Sequence, residues 1–434
     1  MATTGSRPGA ETTRSPERIG MTHAAVREVD YGLIDMDNHY YEREDSFTRH
    51  IEPAYRDQAI HLLPGGVDQF GVAQEHLTRW GIGDTPLPYL NKNLAQRTRP
   101  PGTILGVFEG RISRNDLAVT ETWNPGEELP AAFEREARLK AMEQQNVEAC
   151  LMVPSQALTF QEDLVDRPDV WLANVRSFNR WLEEEWGFGQ DGKVFTAPMI
   201  SLVDVDAAIR ELEWILAAGA KAFYFKMGTV QGVSAADERF DPFWARVNES
   251  GIRPVLHIDH HGYEKIMVEG WGLGKTDGYY KRQTAAHKFL SEVWRPVHDT
   301  VGMLILLNLF GRFPNIKMIV LESGSDWVEP LMHRLDKSSK MSMDGIWSEG
   351  HGRINDMLPS DFMREHFWIA PFPEDDIVEV VRVLGEEQVL FGSDWPHSEG
   401  EAEPANYLQR LEGLSKSQIR NIMRDNGLRA LGLK

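Results

Sequence analysis

The sequence predicts an α/β protein in which parallel strands and helices alternate to form a (β/α)8 barrel. Eight short apolar runs are separated by segments in which apolar residues recur with helical spacing. This alternation is typical of parallel sheets, and eight units fit a closed barrel. An open, doubly wound sheet is the alternative, but it more often has a glycine-rich phosphate-binding turn after its first strand, and residues 38–45 contain no glycine.

The first predicted strand, residues 33–39, reads Leu-Ile-Asp-Met-Asp-Asn-His and mixes apolar residues with two aspartates. The other strands are predicted at residues 149–153, 195–202, 221–226, 254–258, 316–322, 367–370 and 388–391. Helices are predicted at residues 131–146, 167–186, 204–218, 241–250, 327–337 and 375–384, with two more after residue 404. The long apolar stretch at residues 285–310 is predicted to be a buried helix pair. Apolar residues three and four positions apart favour these helices, and Asp204 and Pro242 are suited to helix starts.

The predicted domain organisation is simple. Residues 1–27 are rich in Thr, Ser, Gly, Pro and Arg and are expected to form a disordered tail. Residues 28–434 are expected to form one barrel domain, in which residues 41–129 break the regular pattern. We interpret residues 41–129 as an inserted cap segment after the first strand that covers the active-site face. The glycine-rich loop at residues 262–281 is expected to help cover the pocket.

Aromatic side chains are frequent in both covering segments. They are Trp80, Tyr89, Phe108, Trp123, Tyr263, Trp271, Tyr279 and Tyr280. Such residues favour a sizeable, partly apolar small-molecule substrate. Aromatic residues in loops also serve as packing anchors, which is the alternative interpretation.

Composition excludes several classes of partner. There are 66 acidic against 46 basic residues, which gives a net charge of −20. A surface this negative argues against binding to nucleic acids or anionic membranes, and no apolar run is long enough to span a membrane. Cys150 is the single cysteine, so no internal disulfide can form, and its apolar surroundings predict a buried thiol. The N-terminal residues lack an apolar signal-peptide core, so we expect a cytoplasmic protein.

Residues of metal-ligand type lie where the predicted strands end. Asp37 and His39 are two positions apart, so on a strand both side chains point to the same side. In a barrel the carboxyl ends of the strands meet at one face, where catalytic groups gather. The sequence therefore predicts a metal site at this face. The other candidate residues near strand ends are Lys226, His257, His260, His261, Glu322, Asp394, Trp395 and His397.

Several of these residues also have ordinary interpretations. His260 and His261 lie in a loop and would then be solvated. Lys226 would be an ion-paired lysine, or a bridge between two metals if it were carboxylated. His397 would hydrogen-bond to Asp394 or to the substrate.

Four segments together resemble the amidohydrolase superfamily, in the amidohydrolase-related branch that includes aminocarboxymuconate-semialdehyde decarboxylase. They are residues 34–42, 310–317, 321–327 and 390–397, the last reading Leu-Phe-Gly-Ser-Asp-Trp-Pro-His. The resemblance covers residues 31–433. It implies a distorted (β/α)8 barrel that holds one or two divalent metal ions. Family members commonly form homodimers, although the sequence itself does not define the oligomeric state.

The resemblance also implies a ligand set. The paired first-strand ligands correspond to Asp37 and His39, the strand-five histidine to His257 and the strand-eight aspartate to Asp394. The sequence departs from the family where Asp37 replaces a common histidine and where Glu322 replaces the strand-six histidine. Because that histidine helps family decarboxylases handle their substrates, its absence weakens the prediction of decarboxylation.

The leading functional expectation is metal-dependent hydrolysis of an amide, lactone or thioester. A Zn, Fe or Mn ion held by these ligands would activate water, with Asp394 or Glu322 as the base and His397 as a further catalytic residue. If Glu322, Lys226 or His260 also binds metal, the site would hold two ions. Lys226, Trp395 and His261 are the expected substrate-binding residues. The alternatives are non-oxidative decarboxylation of an aromatic or unsaturated acid, and a barrel that binds a ligand without turnover.

Overall fold

The architecture is taken from a computed structural model of the chain. It describes residues 29–66, 74–90, 93–96, 98–113, 117, 123–274, 284–291, 293–341 and 357–433. The predicted tail at residues 1–27 and part of the predicted loop at residues 262–281 therefore lie outside the described residues. Within the described residues, no helix is both long and apolar enough to cross a membrane.

The strands alternate with helices as predicted, and those that support the site are parallel. The strands are β1 (Leu33–Tyr40), β2 (Ile60–Pro64), β3 (Thr78–Ile82), β4 (Thr85–Pro86), β5 (Val147–Pro154), β6 (Val194–Thr196), β7 (Ala222–Tyr224), β8 (Thr229–Val230), β9 (Val233–Ser234), β10 (Arg253–Leu256), β11 (Met318–Val320) and β12 (Phe367–Ile369). One parallel sheet has the order β1-β5-β6 and another the order β12-β11-β10-β7. The structure therefore belongs to the α/β class, as the sequence predicted.

The predicted closed sheet is not present among the described residues, because these two sheets are separate. A single parallel bridge between Met199, which follows β6, and Tyr224 of β7 lies between them. Two further bridges, Ile369 with Val389 and Asn38 with Trp395, join β12 and β1 to the segment at residues 389–395. The prediction of a strand at residues 388–391 was wrong, because the segment forms a single bridge at Val389. It still hydrogen-bonds to both neighbouring strands: the Leu390 amide donates to the Ile369 carbonyl of β12, and the Met36 amide of β1 donates to the Phe391 carbonyl, each at 2.9 Å. A 3-10 turn at Glu386–Gln388 comes directly before it, and the turn that contains Asp394 follows, so few residues there can be extended.

Helices lie between most of the parallel strands along the chain, and two short ones lie in the segment at residues 41–129. The helices are α1 (Thr103–Phe108), α2 (Pro125–Glu128), α3 (Arg135–Gln144), α4 (Pro168–Glu185), α5 (Val205–Ala217), α6 (Asp241–Ser250), α7 (Ala285–Ser291), α8 (Trp294–Leu306), α9 (Leu309–Arg312), α10 (Val328–Met341), α11 (Pro359–His366), α12 (Ile377–Leu384), α13 (Lys416–Arg420) and α14 (Asn426–Ala430). The predicted cap of α5 is confirmed, since Asp204 accepts a hydrogen bond from the Ala207 amide at 2.7 Å.

Shorter helical turns complete the described chain. The 3-10 segments are Pro53–Gln58, Pro130–Ala132, Ala157–Thr159, Glu162–Leu164, Glu238–Phe240, Glu386–Gln388 and Pro404–Leu411, and the π-helical turns are Lys265–Glu269 and Asn421–Asp425. The predicted helix pair at residues 285–310 is divided instead into three helices, α7, α8 and α9. Asn308, with φ of 60°, marks the start of α9.

The segment at residues 41–129 contains an antiparallel sheet that the sequence did not predict. Strands β2, β3 and β4 pair in that order. The segment contacts loops at the carboxyl ends of the parallel strands: Trp80 donates to Gln156 at 3.1 Å, the Tyr89 amide donates to Asp163 at 3.2 Å, and the Ile104 amide donates to Ser398 at 2.7 Å. These contacts place the segment beside the ends of the strands.

Candidate metal centre

Strand ends position the candidate metal ligands. All eight residues of β1 are buried, and Asp37 and His39 lie on it with both side chains directed to the same place. His257 directly follows β10, and Glu322 lies two residues beyond β11. Glu322 and Asp394 have φ values of 39° and 56°, a left-handed conformation that is uncommon outside glycine. Such backbone conformations often accompany functional sites.

Six residues form what we term the inner group: Asp37, His39, His257, Glu322, Asp394 and His397. Potential ligand atoms from His39, Glu322, Asp394 and His397 lie within 4.8 Å of one another, as do those from Asp37, His39 and His257. Nε2 of His39 is 3.4 Å from Asp37 Oδ1 and 3.2 Å from Asp394 Oδ1. Nε2 of His257 is 3.1 Å from Glu322 Oε2 and 3.5 Å from Asp37 Oδ1.

Backbone carbonyls determine which nitrogen of each histidine faces the inner group. Nδ1 of His39 lies 3.1 Å from the Val153 oxygen, and Nδ1 of His257 lies 2.8 Å from the Ile258 oxygen. A carbonyl only accepts hydrogen bonds, so each Nδ1 carries a proton, and each ring in its neutral form presents a lone pair at Nε2. These two Nε2 atoms are 3.3 Å apart, and buried Asp37 Oδ1 has no hydrogen-bond partner. Two lone pairs and a carboxylate oxygen that converge in this way fit a divalent cation.

Electrostatics within the inner group are dominated by burial and by mutual charge. Burial and the nearby His397 charge lower the pKa of His39 to about 4. Burial also opposes the charged forms of Asp37 and His257, but their mutual interaction outweighs it, so the pKa of Asp37 is lowered and that of His257 is raised. Burial and the Asp394 charge raise the pKa of Glu322 to about 7. A cation bound here would stabilise the ionised carboxylates.

Asp394 and His397 form a pair that retains a proton. His397 Nδ1 lies 2.7 Å from Asp394 Oδ1, and its Nε2 lies 2.9 Å from Ser155 Oγ. The Ser155 hydroxyl donates to the Tyr40 carbonyl at 2.7 Å, so toward His397 it can only accept. Burial raises the pKa of Asp394 to about 7. Burial opposes the charged form of His397, but the Asp394 charge outweighs it and raises the pKa of His397 to about 9.

Lys226, His260 and His261 belong to a different cluster. We term it the outer group, and its members are Glu162, Asp163, Lys226, His260, His261 and Glu264. Lys226 Nζ donates to the carbonyls of Met227 at 3.1 Å and His261 at 3.3 Å, and lies 3.3 Å from Glu162. His260 stacks on Tyr89 at 3.8 Å, and the imidazole of His261 lies 3.3 Å from Glu264. The structure thus does not bring His260 into either inner ligand set.

Trp395 supports the site from behind. Its ring lies against the guanidinium of Arg138, with 4.3 Å between the guanidinium carbon and the ring centroid. Its carbonyl accepts a hydrogen bond from the His39 amide at 2.8 Å. The turn before it requires Gly392, because a Cβ atom there would lie 2.5 Å from Asp37 Cβ. The sequence analysis named Trp395 but missed Arg138, which has no distinguishing sequence signal on its helix.

Ser155 and Asp35 are further residues that the sequence analysis did not assign to the site. Ser155 follows β5 and orients His397, as described above. Asp35 is buried on β1 and accepts hydrogen bonds from the Ser393 amide at 2.9 Å and the Ser393 hydroxyl at 2.5 Å. Asp35 therefore joins β1 to the turn that carries Asp394. An aspartate between the apolar residues Ile34 and Met36 was the one available signal for it.

Comparison with known proteins gives a family match. Residues 34–433 match the family model described as Amidohydrolase. A curated relative, gamma-resorcylate decarboxylase of Rhodococcus jostii (strain RHA1), is 25% identical over 322 residues, which are 67% of this chain and 89% of that protein.

Solved structures agree with this match. An amidohydrolase of Mycobacterium avium subsp. paratuberculosis K-10 superposes with a TM-score of 0.82 and 33% identity, over 93% of this chain and 100% of that one. A dihydroxybenzoic acid decarboxylase of Polaromonas sp. JS666, solved with manganese and the inhibitor 2-nitroresorcinol, superposes with a TM-score of 0.54 and 15% identity, over 76% of this chain and 93% of that one. Family relatives thus bind a divalent metal such as manganese, and the inner group is a His/Asp group suited to one.

Proposed function

Because the chain belongs to the amidohydrolase family, we propose that it is a metal-dependent decarboxylase of a small aromatic or unsaturated carboxylic acid. The observation that carries this proposal is the match with gamma-resorcylate decarboxylase across 89% of that protein. It favours the alternative in the sequence analysis over hydrolysis of an amide, lactone or thioester. Zn, Fe and Mn all remain candidate metals, and the manganese in the Polaromonas structure makes Mn the first to test.

The proposal assigns ligand roles to the inner group. Asp37, His39, His257 and Asp394 would hold the metal, with Glu322 as a further ligand if a second ion binds. When bound, the ion would neutralise the substrate carboxylate and a neighbouring oxygen, which a buried cluster of acidic residues would otherwise repel. The Nδ1 atoms of His39 and His257 contact the carbonyls of Val153 and Ile258, which keeps both Nε2 atoms aimed at the metal position.

Decarboxylation also needs a proton donor, and the Asp394–His397 pair supplies one. The proton shared between His397 Nδ1 and Asp394 Oδ1 would pass to the carbon that bears the carboxylate. The bond from that carbon to the carboxylate then breaks, its electron pair returns to the substrate, and carbon dioxide leaves. Ser155 holds the far side of the His397 ring, so the ring keeps its orientation while the proton moves.

The same proposal covers the finer architecture. The two parallel sheets would be parts of a distorted (β/α)8 barrel. The bridges at Met199, Val389 and Asn38 support this interpretation, because each joins neighbouring segments in the order that a barrel requires. Residues 41–129 would cover the active-site face, which is supported by the contacts of Trp80 and Tyr89 with the loop after β5. Lys226 and His261 would then bind substrate from the rim of the pocket.

One observation keeps hydrolysis as a second candidate. Glu322 stands where the resemblance implies a histidine in family decarboxylases, and its carboxylate lies 3.1 Å from His257 Nε2. A carboxylate with a pKa near neutrality can take a proton from water and pass it to a leaving group. The test must therefore include hydrolysable substrates.

Product analysis of the purified, manganese-loaded protein distinguishes the two reactions. Dihydroxybenzoates, related hydroxybenzoates and unsaturated dicarboxylic acids would be assayed for carbon dioxide release, and aryl amides, lactones and thioesters for acid release. We expect carbon dioxide from at least one acid and, in deuterated water, one deuterium on the carbon that lost the carboxylate. Hydrolysis of an ester or amide without any decarboxylation would overturn the proposal.

A further inference from the structure

Arg138 on α3 is a buried cation that no carboxylate among the described residues neutralises through an ion pair. The side chain is 1% exposed. Its Nε donates to the Ala131 carbonyl at 2.7 Å, its Nη2 donates to the His39 carbonyl at 2.5 Å, and its Nη1 donates to Asn38 Oδ1. Burying a charge costs free energy unless its hydrogen bonds are satisfied. The residues that accept the hydrogen bonds of Arg138 therefore indicate what this side chain holds in place.

The guanidinium contacts two of the segments that carry inner-group residues, β1 and the turn at residues 392–397. Two of its three hydrogen bonds reach β1, at Asn38 and at the carbonyl of His39 itself. Its flat face lies on the ring of Trp395, 4.3 Å from the centroid, and Trp395 directly follows Asp394 in the chain. One side chain therefore touches the backbone of one candidate ligand and the neighbour of another.

Asn38 extends these contacts across the site. Its Nδ2 donates to Asp35 Oδ2 at 2.8 Å, while its Oδ1 accepts from Arg138. Asp35 in turn accepts from the amide and hydroxyl of Ser393. We term Asp35, Asn38, Arg138 and Ser393 the clamp. It joins α3, β1 and the turn at residues 392–397 in one buried network, and its charges at Asp35 and Arg138 are separated only by the Asn38 amide.

We infer that Arg138 is a positioning residue for the metal centre. It holds the backbone of His39 and the ring of Trp395 at fixed distances, so that Nε2 of His39 and Oδ1 of Asp394 remain 3.2 Å apart when no cation draws them together. The inference rests on the metal centre that the proposed function uses. It does not depend on which reaction that centre catalyses, because its measurable consequence is metal affinity.

The chemistry of the contacts requires arginine. A planar guanidinium can donate to three oxygens in fixed directions while its face lies on an aromatic ring. Lysine keeps the charge but offers a single ammonium that cannot reach all three oxygens and the ring. Arg138→Lys therefore tests the geometry of the clamp separately from its charge.

Manganese binding to the full-length protein is the decisive measurement. The metal would be removed by chelation, and Mn2+ would be titrated back while the electron paramagnetic resonance signal of free Mn2+ is followed. We expect Arg138→Lys to weaken Mn2+ binding by about 10- to 100-fold, the range typical of residues that orient metal ligands. We also expect an altered spectrum for the bound ion. Affinity within twofold of wild type, with an unchanged spectrum, would overturn the inference.

Arg180→Lys is the matched control. Arg180 on α4 also lies over a tryptophan ring, Trp214 at 3.7 Å, and unlike Arg138 it forms an ion pair, with Glu211. It touches no residue of the inner group or the clamp in the contacts described. If Arg138→Lys acted only by loosening the fold, Arg180→Lys would weaken Mn2+ binding equally, and that result would overturn the inference. We expect its affinity to stay within twofold of wild type.

Asn38→Ala keeps the test valid if Arg138→Lys does not fold. This variant removes the bridge between Arg138 and Asp35 but leaves the guanidinium and its other contacts in place. We expect this variant to bind Mn2+ about tenfold more weakly than the wild type. An unchanged Mn2+ affinity would overturn the inference. Failure to find a decarboxylated substrate would leave these affinities unaffected, so the two proposals fail separately.

Discussion

The inner and outer groups contain the same kinds of residues at the same end of the strands, yet they differ in how those residues are partnered. In the inner group, Nδ1 of His39 and of His257 donates to a backbone carbonyl, and Nε2 of each ring points toward Asp37. In the outer group, Lys226 contacts Glu162 and His260 stacks on Tyr89. Residue type at a strand end is thus a weaker indicator of a metal site than the contact made by the ring nitrogen that faces away from the site.

Paired histidine substitutions in the two groups test this difference most severely. We expect the double variant His39→Ala/His257→Ala to lose bound metal and all detectable activity, because both neutral nitrogens are removed. The corresponding variant in the outer group, His260→Ala/His261→Ala, should keep its metal. Elemental analysis of both purified proteins checks the prediction. Loss of metal from the outer-group variant as well would show that His260 is a ligand after all.

Asp394→Asn should produce the next largest effect. The amide cannot share a proton with His397 as the acid does, so we expect turnover to fall by about 10²- to 10⁴-fold, the usual contribution of a positioned acid or base. Steady-state kinetics at saturating metal would measure it, with circular dichroism as the control for folding. Wild-type turnover in this variant would show that the Asp394–His397 pair is not the proton donor.

The pH dependence of turnover examines the same pair without mutation. The pKa of His397 is raised to about 9 by Asp394, so the pair holds its proton below that pH and loses it above. Turnover should therefore fall as the pH rises through about 9, by about tenfold per unit once the pair has deprotonated. The rate profile would be measured where metal content is constant. Turnover that stays level well above pH 9 would contradict this role.

Much of the fold could be predicted because it depends on local patterns. The buried run of β1 and the capped helix α5 have clear sequence periodicity and capping signals. Strands β2 to β4 were missed because Pro and Gly residues around them suggest loops, although β3 and β4 are separated by only two residues. The 388–391 segment was mispredicted since its apolar run is the same whether it forms a strand or a single bridge.

Prediction of the site was limited in a different way. Asp37, His39, His257 and Asp394 could be selected because ligand types follow apolar runs, and the structure brings all four into the inner group. The carbonyl that fixes His39 belongs to Val153, which is 114 residues away. Arg138 looks in sequence like any solvated residue of a polar helix, although it is almost completely buried. Such contacts are created only when the chain has folded.

Lys226→Met should give the smallest effect and the finest test of the comparison. Lys226 lies two residues beyond β7, and its ammonium contacts two carbonyls and Glu162 rather than the inner group. If it binds substrate from the rim, its loss should raise KM about threefold to tenfold, as expected for one charged hydrogen bond that is partly replaced by water. Metal affinity and kcat should change by less than twofold.

The exposed Lys221, at the opposite end of the same strand, provides the control, and Lys221→Met should change none of these quantities. A fall in metal affinity for Lys226→Met alone would mean that this lysine reaches the metal, as a carboxylated bridging ligand would. In that case the inner and outer groups would be one binuclear centre. Unchanged affinity with a raised KM would instead place the boundary of the metal centre between His257 and Lys226.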